Sequence, residues 1–369
     1  MTDRVVPEFA MDNVRISGLT ELQAHVQELI DDPSAPFNAK LFDDVELQLT
    51  EDNIPPLLPV LLPALTSILK STTQDPTPCL SLTIKLLSPL PLTRTLTIAD
   101  PPSLLTALRS PLPGANLLAL AILHKAAASP ADAALLSTLP ELVEELVRRW
   151  LEAEDVGVAE RAARVLGDIL ETDCDVVPPQ GQQVNGIINA NGNTTQLARR
   201  TRPPGHARLW ALILESRPIA SLIPELCTPS AATRTTRQTS LSQGRLLRLL
   251  PRLATLKMGA LTSTPLPDLF PPGPGAQTGG LLPWAALGMV DASDVLMHLN
   301  LVDFLETLVS VMRVAENRTR ETDEMLGELI RTAVRSGGGQ LVAALRSLPD
   351  RTVEEEAEPL RAYINELLG

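Results

Sequence analysis

The chain has 369 residues and a formal net charge of −13, because 44 aspartates and glutamates outnumber 31 lysines and arginines. The apolar share of 44% excludes a globally disordered chain, and the acidic balance argues against a dedicated nucleic-acid-binding domain, which is usually basic. Three scattered cysteines, Cys79, Cys174 and Cys227, form neither a disulfide framework nor a zinc motif, so we expect reduced thiols in an intracellular protein.

No segment is expected to enter a membrane. Asp3, Arg4 and Glu8 do not fit the basic start and apolar stretch of a signal peptide. The most apolar segment, residues 54–69, is shorter than the roughly 20 residues that a transmembrane helix needs, and it contains four prolines. We therefore expect a cytoplasmic protein and leave the nucleus open as a second location.

Almost every segment with a regular pattern is predicted to be helical. The first helix carries Leu22, Val26 and Leu29 at helical spacing, and a second, short helix is predicted near residues 41–49. The helix pairs predicted further along are 54–70 with 76–88, 102–110 with 114–128, 137–152 with 155–171, 206–216 with 218–227, 239–256 with 280–290, 292–313 with 320–336, and a terminal set at 339–347 and 352–367. Alternating strand patterns are missing and aromatic residues make up only 2%, so the sequence predicts an all-α fold.

The spacing of these pairs predicts a repeat architecture. Uninterrupted pairs recur every 38 to 45 residues, close to the period of about 40–47 of HEAT and armadillo repeats. Because one pair cannot bury its apolar face alone, neighbouring pairs stack, which predicts a HEAT/armadillo-like α-solenoid of stacked helix pairs. Its predicted parts are acidic N-terminal cap helices in 1–53, HEAT-like repeats in 54–173, a flexible insertion loop at 174–205, and further HEAT-like repeats in 206–369 with a Pro/Gly-rich loop at 263–279.

The clearest repeat lies between residues 136 and 172. Its first helix carries leucines and Trp150 on one apolar stripe, and Asp155 stands where it can cap the second helix. The second helix has alanines and Gly167 on the stripe that a neighbouring helix would contact, which predicts a close approach between helices.

No catalytic or cofactor motif emerges. The four histidines have no carboxylate or cysteine partner at metal-ligand spacing, and His124 is expected to be a packed or surface residue. Ser67 and Lys70 match the spacing of a serine–lysine acylase motif, but its companion motifs are missing. The glycines of 273–279 have the wrong spacing for a dinucleotide-binding loop. We therefore predict a non-enzyme without a cofactor or bound metal.

Charge is unevenly distributed along the chain. Residues 1–60 hold twelve acids against three bases, a net of −9, whereas residues 191–260 hold eleven bases against two acids, a net of +9. The positive stretch predicts docking of a protein of complementary charge, and the alternative is an ordinary set of solvated helix faces. Nucleic acid is a third reading, which is disfavoured because Trp210 is the stretch's single aromatic residue.

Two charged helix faces form the candidate partner-binding site. The first lies on the second helix of the clearest repeat, and the second is a run of arginines spaced three and four residues apart on a later helix. The candidate residues are Glu160, Arg164, Asp168, Arg245, Arg248 and Arg252. Second helices line the concave side of a HEAT stack, where partners are commonly held; the alternative is the solvated side of an amphipathic helix.

Four phrases carry a resemblance to a known family. They are LGDILETDC at 166–174, GHARLWALI at 205–213, SLSQGRLL at 240–247 and GMVDASDVLMH at 288–298. In this order they resemble fungal members of the 26S proteasome non-ATPase regulatory subunit 5 family, which are often labelled as mismatch-repair proteins. The resemblance covers roughly residues 135–320.

The resemblance implies a curved HEAT-like solenoid that acts as a non-catalytic assembly chaperone. Family members hold the C-terminal domain of a proteasomal AAA-ATPase subunit during assembly of the regulatory-particle base, and they leave before the 26S proteasome is complete. The family supplies no binding motif, so the six candidate residues rest on the helix-face argument alone. We expect the free protein to be a monomer. The alternatives are another HEAT or armadillo adaptor, of the transport or Hsp70 nucleotide-exchange type, and more distantly a DNA-repair factor.

Overall fold

The computed structural model describes residues 16–176, 203–229, 234–273, 275, 279–291, 294–337 and 339–369. All regular secondary structure in these residues is helical, which confirms the predicted all-α class. Residues 1–15 of the predicted N-terminal cap and residues 177–202 of the predicted insertion loop lie outside the described residues.

Helices follow one another along nearly all of the described chain. Those of the first half are α1 (Leu19–Asp31), α2 (Ala39–Glu46), α3 (Leu58–Ser71), α4 (Thr77–Leu87), α5 (Leu92–Ile98), α6 (Pro101–Arg109), α7 (Pro113–His124), α8 (Pro130–Leu136), α9 (Pro140–Glu152) and α10 (Val156–Thr172). Those of the second half are α11 (Arg208–Leu214), α12 (Arg217–Ala220), α13 (Leu222–Cys227), α14 (Thr236–Thr262), α15 (Leu281–Leu287), α16 (Val295–Arg313), α17 (Arg320–Gly337), α18 (Gly339–Ser347) and α19 (Glu354–Leu368). Short 3-10 turns lie at Pro55–Leu57, Lys125–Ala128 and Pro349–Arg351.

Most of the predicted helices are confirmed, with three differences. The sequence does not predict α5 and α8, each of seven residues. The helix predicted over 206–216 is confirmed as α11, whereas the one predicted over 218–227 is divided into α12 and α13. Pro218 lacks the amide N–H that would extend α11, and it stands instead in the first turn of α12.

The helix predicted over 239–256 is longer than expected. It begins with a capping box between Thr235 and Gln238 and continues through Pro251 to Thr262. Lys257 has a non-helical backbone, with φ −152° and ψ 71°, so the helix is kinked one and a half turns after the proline. Arg248 and Arg252, which contact α10, lie before the kink, and Lys257 lies at it.

Helices contact both their partner in a pair and the corresponding helix of the next pair. In one row, α4 contacts α2 and α7, α7 contacts α10, and α10 contacts α14. In the other row, α1 contacts α3 and α6 contacts α9, while the pairs α3–α4, α6–α7 and α9–α10 join the rows. One continuous cluster of buried apolar side chains extends from Leu22 in α1 to Leu367 in α19.

The clearest repeat has the local structure that its sequence predicts. Leu142, Leu146 and Trp150 are buried on one face of α9. The carboxylate of Asp155 accepts a hydrogen bond from the amide of Val158 at 2.8 Å, which confirms the predicted cap of α10.

The chain segments on either side of residues 177–202 are held together. The amide of Gly205 donates to the carbonyl of Cys174 at 2.7 Å, and the amide of Ala207 donates to the carbonyl of Asp173 at 2.8 Å. A β-carbon at Gly205 would lie 2.1 Å from the carbonyl carbon of Asp173, so only glycine permits this approach. The Asp173 carboxylate also accepts the amide of Leu209 at 2.6 Å, which ties the end of α10 to the start of α11.

Among the described helices, α16 is the one whose length and apolar composition would allow it to cross a membrane. Core helices of soluble proteins have the same composition. Phe304, Leu308 and Met312 of α16 are buried, and the helix contacts α14, α18 and α19. The expectation that no segment enters a membrane stays a prediction.

Candidate partner-binding site

The two charged faces predicted from the sequence lie opposite each other in the structure. Arg252 on α14 donates to Asp168 and to Glu171 on α10, each at 2.7 Å, and Arg248 donates to Glu160. Lys257 donates to Asp175, just beyond α10, at 2.7 Å. We call these cross-helix contacts the α10–α14 charge ladder; its members are Glu160, Asp168, Glu171 and Asp175 with Arg248, Arg252 and Lys257.

The ladder forms because α10 and α14 run side by side in the same direction. The paired residues are 88, 84 and 82 positions apart as the ladder is followed toward the C-terminus. The acids at 160 and 168 are eight residues apart and the bases at 248 and 252 are four apart, so the sequence offset between partners falls along the ladder. No local pattern could reveal this pairing, because an interruption of several dozen residues separates the two helices.

Gly167 allows the middle of the ladder to form. A β-carbon at this position would lie 2.4 Å from Nη1 of Arg252, so the guanidinium rests directly on the glycine of α10. The predicted close approach at Gly167 is thus made by an arginine side chain from the neighbouring helix.

Arg245 lies apart from the ladder and caps another helix. Its guanidinium donates to the carbonyls of Leu151 at 2.9 Å and Ala153 at 2.7 Å, where α9 ends. Ser242 also donates to the Leu151 carbonyl, at 2.9 Å. These contacts satisfy carbonyls that have no partner within α9, and burial lowers the pKa of Arg245. The structure thus gives this candidate residue a contact inside the molecule.

Arg164 is the candidate residue on α10 that takes no part in the charge ladder. It is exposed on α10, four residues from both Glu160 and Asp168, and it forms no ion pair with any described residue. Two apolar side chains are also exposed on these helices: Val156 on α10 is 68% exposed, four residues before Glu160, and Leu241 on α14 is 45% exposed, four residues before Arg245. We therefore take Arg164 and these two exposed side chains as candidates for contact with a partner.

We define the candidate contact surface as Val156, Glu160, Arg164, Leu241 and Arg248. Within it, the Arg248–Glu160 pair is open to solvent, with 74% and 49% of the two side chains exposed. Exposed pairs of this kind contribute between zero and about 1 kcal/mol, so either member can exchange its partner at little cost.

His124 has a carboxylate partner that the sequence reading missed. Its Nε2 lies 2.7 Å from Oδ2 of Asp168, and Nη2 of Arg161 lies 3.4 Å from its Nδ1. The imidazole therefore joins α7 to the ladder. Positions 124 and 168 lie one repeat apart, so the repeat period itself was the available signal. No group of three or more metal-binding side chains occurs in the part of the chain that the structure describes.

Asp168 is the residue at which these contacts meet. Burial alone would raise its pKa, but hydrogen bonds from Arg252 and His124 and the charge of Arg252 outweigh burial, and the net pKa lies below the usual range. The ionised carboxylate is thus stabilised by the folded structure.

This low pKa predicts a loss of stability in acid. A carboxylate whose pKa is lower in the folded chain contributes stability above its unfolded pKa of about 3.9 and loses that contribution as the pH falls through the folded pKa. We expect the difference in free energy of unfolding between the wild type and Asp168→Asn to be largest near neutral pH and to shrink below about pH 4. Urea unfolding at several pH values measures it; a difference that does not change with pH would contradict this role.

The positive stretch at 191–260 is largely compensated within the described residues. Besides the ladder, Arg217 donates to Asp268 at 2.7 Å and Arg234 donates to Glu152 at 3.5 Å. Arg208 and Arg237 remain exposed, and the arginines at 199, 200 and 202 lie outside the described residues. The net charge of +9 therefore overstates the positive charge offered to a partner or to nucleic acid.

Comparison of the chain with protein-family models and with curated proteins gives no match.

Proposed function

We propose that this protein is a non-catalytic assembly chaperone, built as a solenoid of HEAT-like helix pairs, that binds the C-terminal domain of a proteasomal AAA-ATPase subunit. The observation that carries the proposal is the agreement between the four family-like phrases and the helices on which they fall. The phrase at 166–174 ends α10, the one at 205–213 leads into α11, the one at 240–247 lies within α14, and the one at 288–298 leads into α16. The contacts α7–α10, α10–α14 and α14–α16 are those expected of stacked repeats.

In this proposal the candidate contact surface meets the ATPase domain. Arg164 has no ion pair among described residues to break, and Arg248 can release Glu160 at little cost. Val156 and Leu241 supply apolar area to bury. Asp168, Arg252 and Arg245 hold helices together and fix the shape of the surface, so we assign them to positioning the surface.

Co-expression with each of the six proteasomal ATPase C-terminal domains, followed by size-exclusion chromatography, tests the proposal. We expect one stable one-to-one complex. We expect Arg164→Glu combined with Arg248→Glu to weaken it by about tenfold or more, because reversing charges at an interface opposes association. The matched control reverses Arg320 and Arg346, which are exposed on α17 and α18. Six failures to form a complex would overturn the proposed function.

A further inference from the structure

A groove in the N-terminal third of the chain, well separated in sequence from the charge ladder, has the features of a second binding site. It lies between α3 and α5, has a volume of about 630 Å³ and is open on one side. Its apolar lining includes Leu58, Leu62, Pro63 and Ile98, and Ile98 is 50% exposed. Grooves of this size lined mainly by apolar side chains are typical of ligand and peptide sites.

Two cations line the same groove without a carboxylate partner. Lys70 and Arg94 are exposed, and neither forms an ion pair with a described residue. Asp100 lies near enough to Lys70 to be influenced by its charge, but the Asp100 carboxylate accepts the amide of Ser103 and caps α6. None of the described residues that line the groove is acidic. It is therefore a locally positive site on a chain whose net charge is −13.

We propose that the groove between α3 and α5 binds a peptide segment of a partner protein in which apolar side chains are flanked by carboxylates. The apolar side chains occupy the floor formed by Leu58, Leu62 and Ile98, and the carboxylates approach Lys70 and Arg94. A nucleic acid fits less well, because the described lining has no aromatic side chain on which a base could stack. This site is independent of the proposed chaperone function and of the candidate contact surface.

Fluorescence anisotropy with the full chain tests the proposal. The probes are three fluorescein-labelled peptides with leucine at the same positions and glutamate, glutamine or lysine at all others. We expect the glutamate peptide to bind about tenfold or more tightly than the glutamine peptide, with an affinity that falls as salt rises, and the lysine peptide not to bind.

Variants then place the binding in the groove. We expect Lys70→Glu combined with Arg94→Glu to abolish binding of the glutamate peptide, and Ile98→Asp to weaken it by about tenfold or more. The control Lys40→Glu with Arg237→Glu makes the same change in net charge at exposed positions on α2 and α14 and should leave the affinity unchanged. All five positions are exposed, so folding is checked by circular dichroism.

Several results would overturn the proposal. These are equal binding of the glutamate and glutamine peptides, no binding of the glutamate peptide, or equal loss in the control variant. Stronger peptide binding after removal of residues 1–15 would show that this segment of the chain competes with the peptide for the groove. A wild-type dimer that is lost in the Lys70→Glu and Arg94→Glu variant would show that a second copy of this chain occupies the groove.

Discussion

Replacing Asp173 with alanine is expected to lower the free energy of unfolding by about 3 kcal/mol. Asp173 is fully buried and its carboxylate accepts the amides of Leu209 at 2.6 Å and Trp210 at 3.4 Å. Without this acceptor, buried donors at the start of α11 lose their partner, and each such donor costs about 1 to 3 kcal/mol. The loss affects two helices at once, because Asp173 ends α10 and holds α11 against it.

Urea unfolding of Asp173→Ala at neutral pH measures this effect, with Asp173→Asn as the matched control. Burial raises the pKa of Asp173, and hydrogen bonds from backbone amides oppose that rise. Asparagine keeps an acceptor oxygen without the buried charge, so we expect it to lose only about 1 kcal/mol. Equal losses for alanine and asparagine would show that the acceptor is unimportant and that the cost comes from packing.

Replacing Arg252 with glutamate is expected to lower the free energy of unfolding by about 2 kcal/mol. Arg252 donates to Asp168 and to Glu171, so the substitution would place three carboxylates together. The cost is below the roughly 3–5 kcal/mol of a fully buried broken pair, because 37% of the Arg252 side chain is exposed and solvent screens the repulsion.

The matched control is Arg248→Glu, on the same helix and facing the same partner helix. With 74% of its side chain exposed, Arg248 should change stability by less than about 1 kcal/mol when it is replaced. Chemical unfolding of the two variants compares them directly. If the Arg252→Glu and Arg248→Glu variants lose the same free energy of unfolding, the burial of the two arginines does not determine their contribution to stability. Assigning Arg252 to structure and Arg248 to binding would then be wrong.

The helices were largely predictable because their signals are local. Leu22, Val26 and Leu29 recur at helical spacing and all three are buried in α1. Asp155 caps α10 as its position before the helix indicated. The helices α5 and α8 escaped prediction because short helices rely on tertiary packing for their stability.

The candidate site was predictable only in part. Periodicity placed the arginines 245, 248 and 252 on one face, but it could not distinguish their partners. In the structure, one caps α9, one forms an exposed pair and one is held by two carboxylates. His124 likewise looked isolated, although its partner Asp168 lies one repeat further along.

The amino-acid sequence by itself determined most of the helical segments and the apolar face of the longer helices, because hydrophobic period, capping residues and prolines act within a few residues of one another. Only the tertiary structure decided which charged side chains pair with other groups of the same chain. The α10–α14 charge ladder and the Asp173 contact join residues dozens of positions apart in sequence. The ion-pair partner of a charged residue is set only when packing brings two helices together, because Coulomb attraction in water is weak beyond about a Debye length of 8–10 Å.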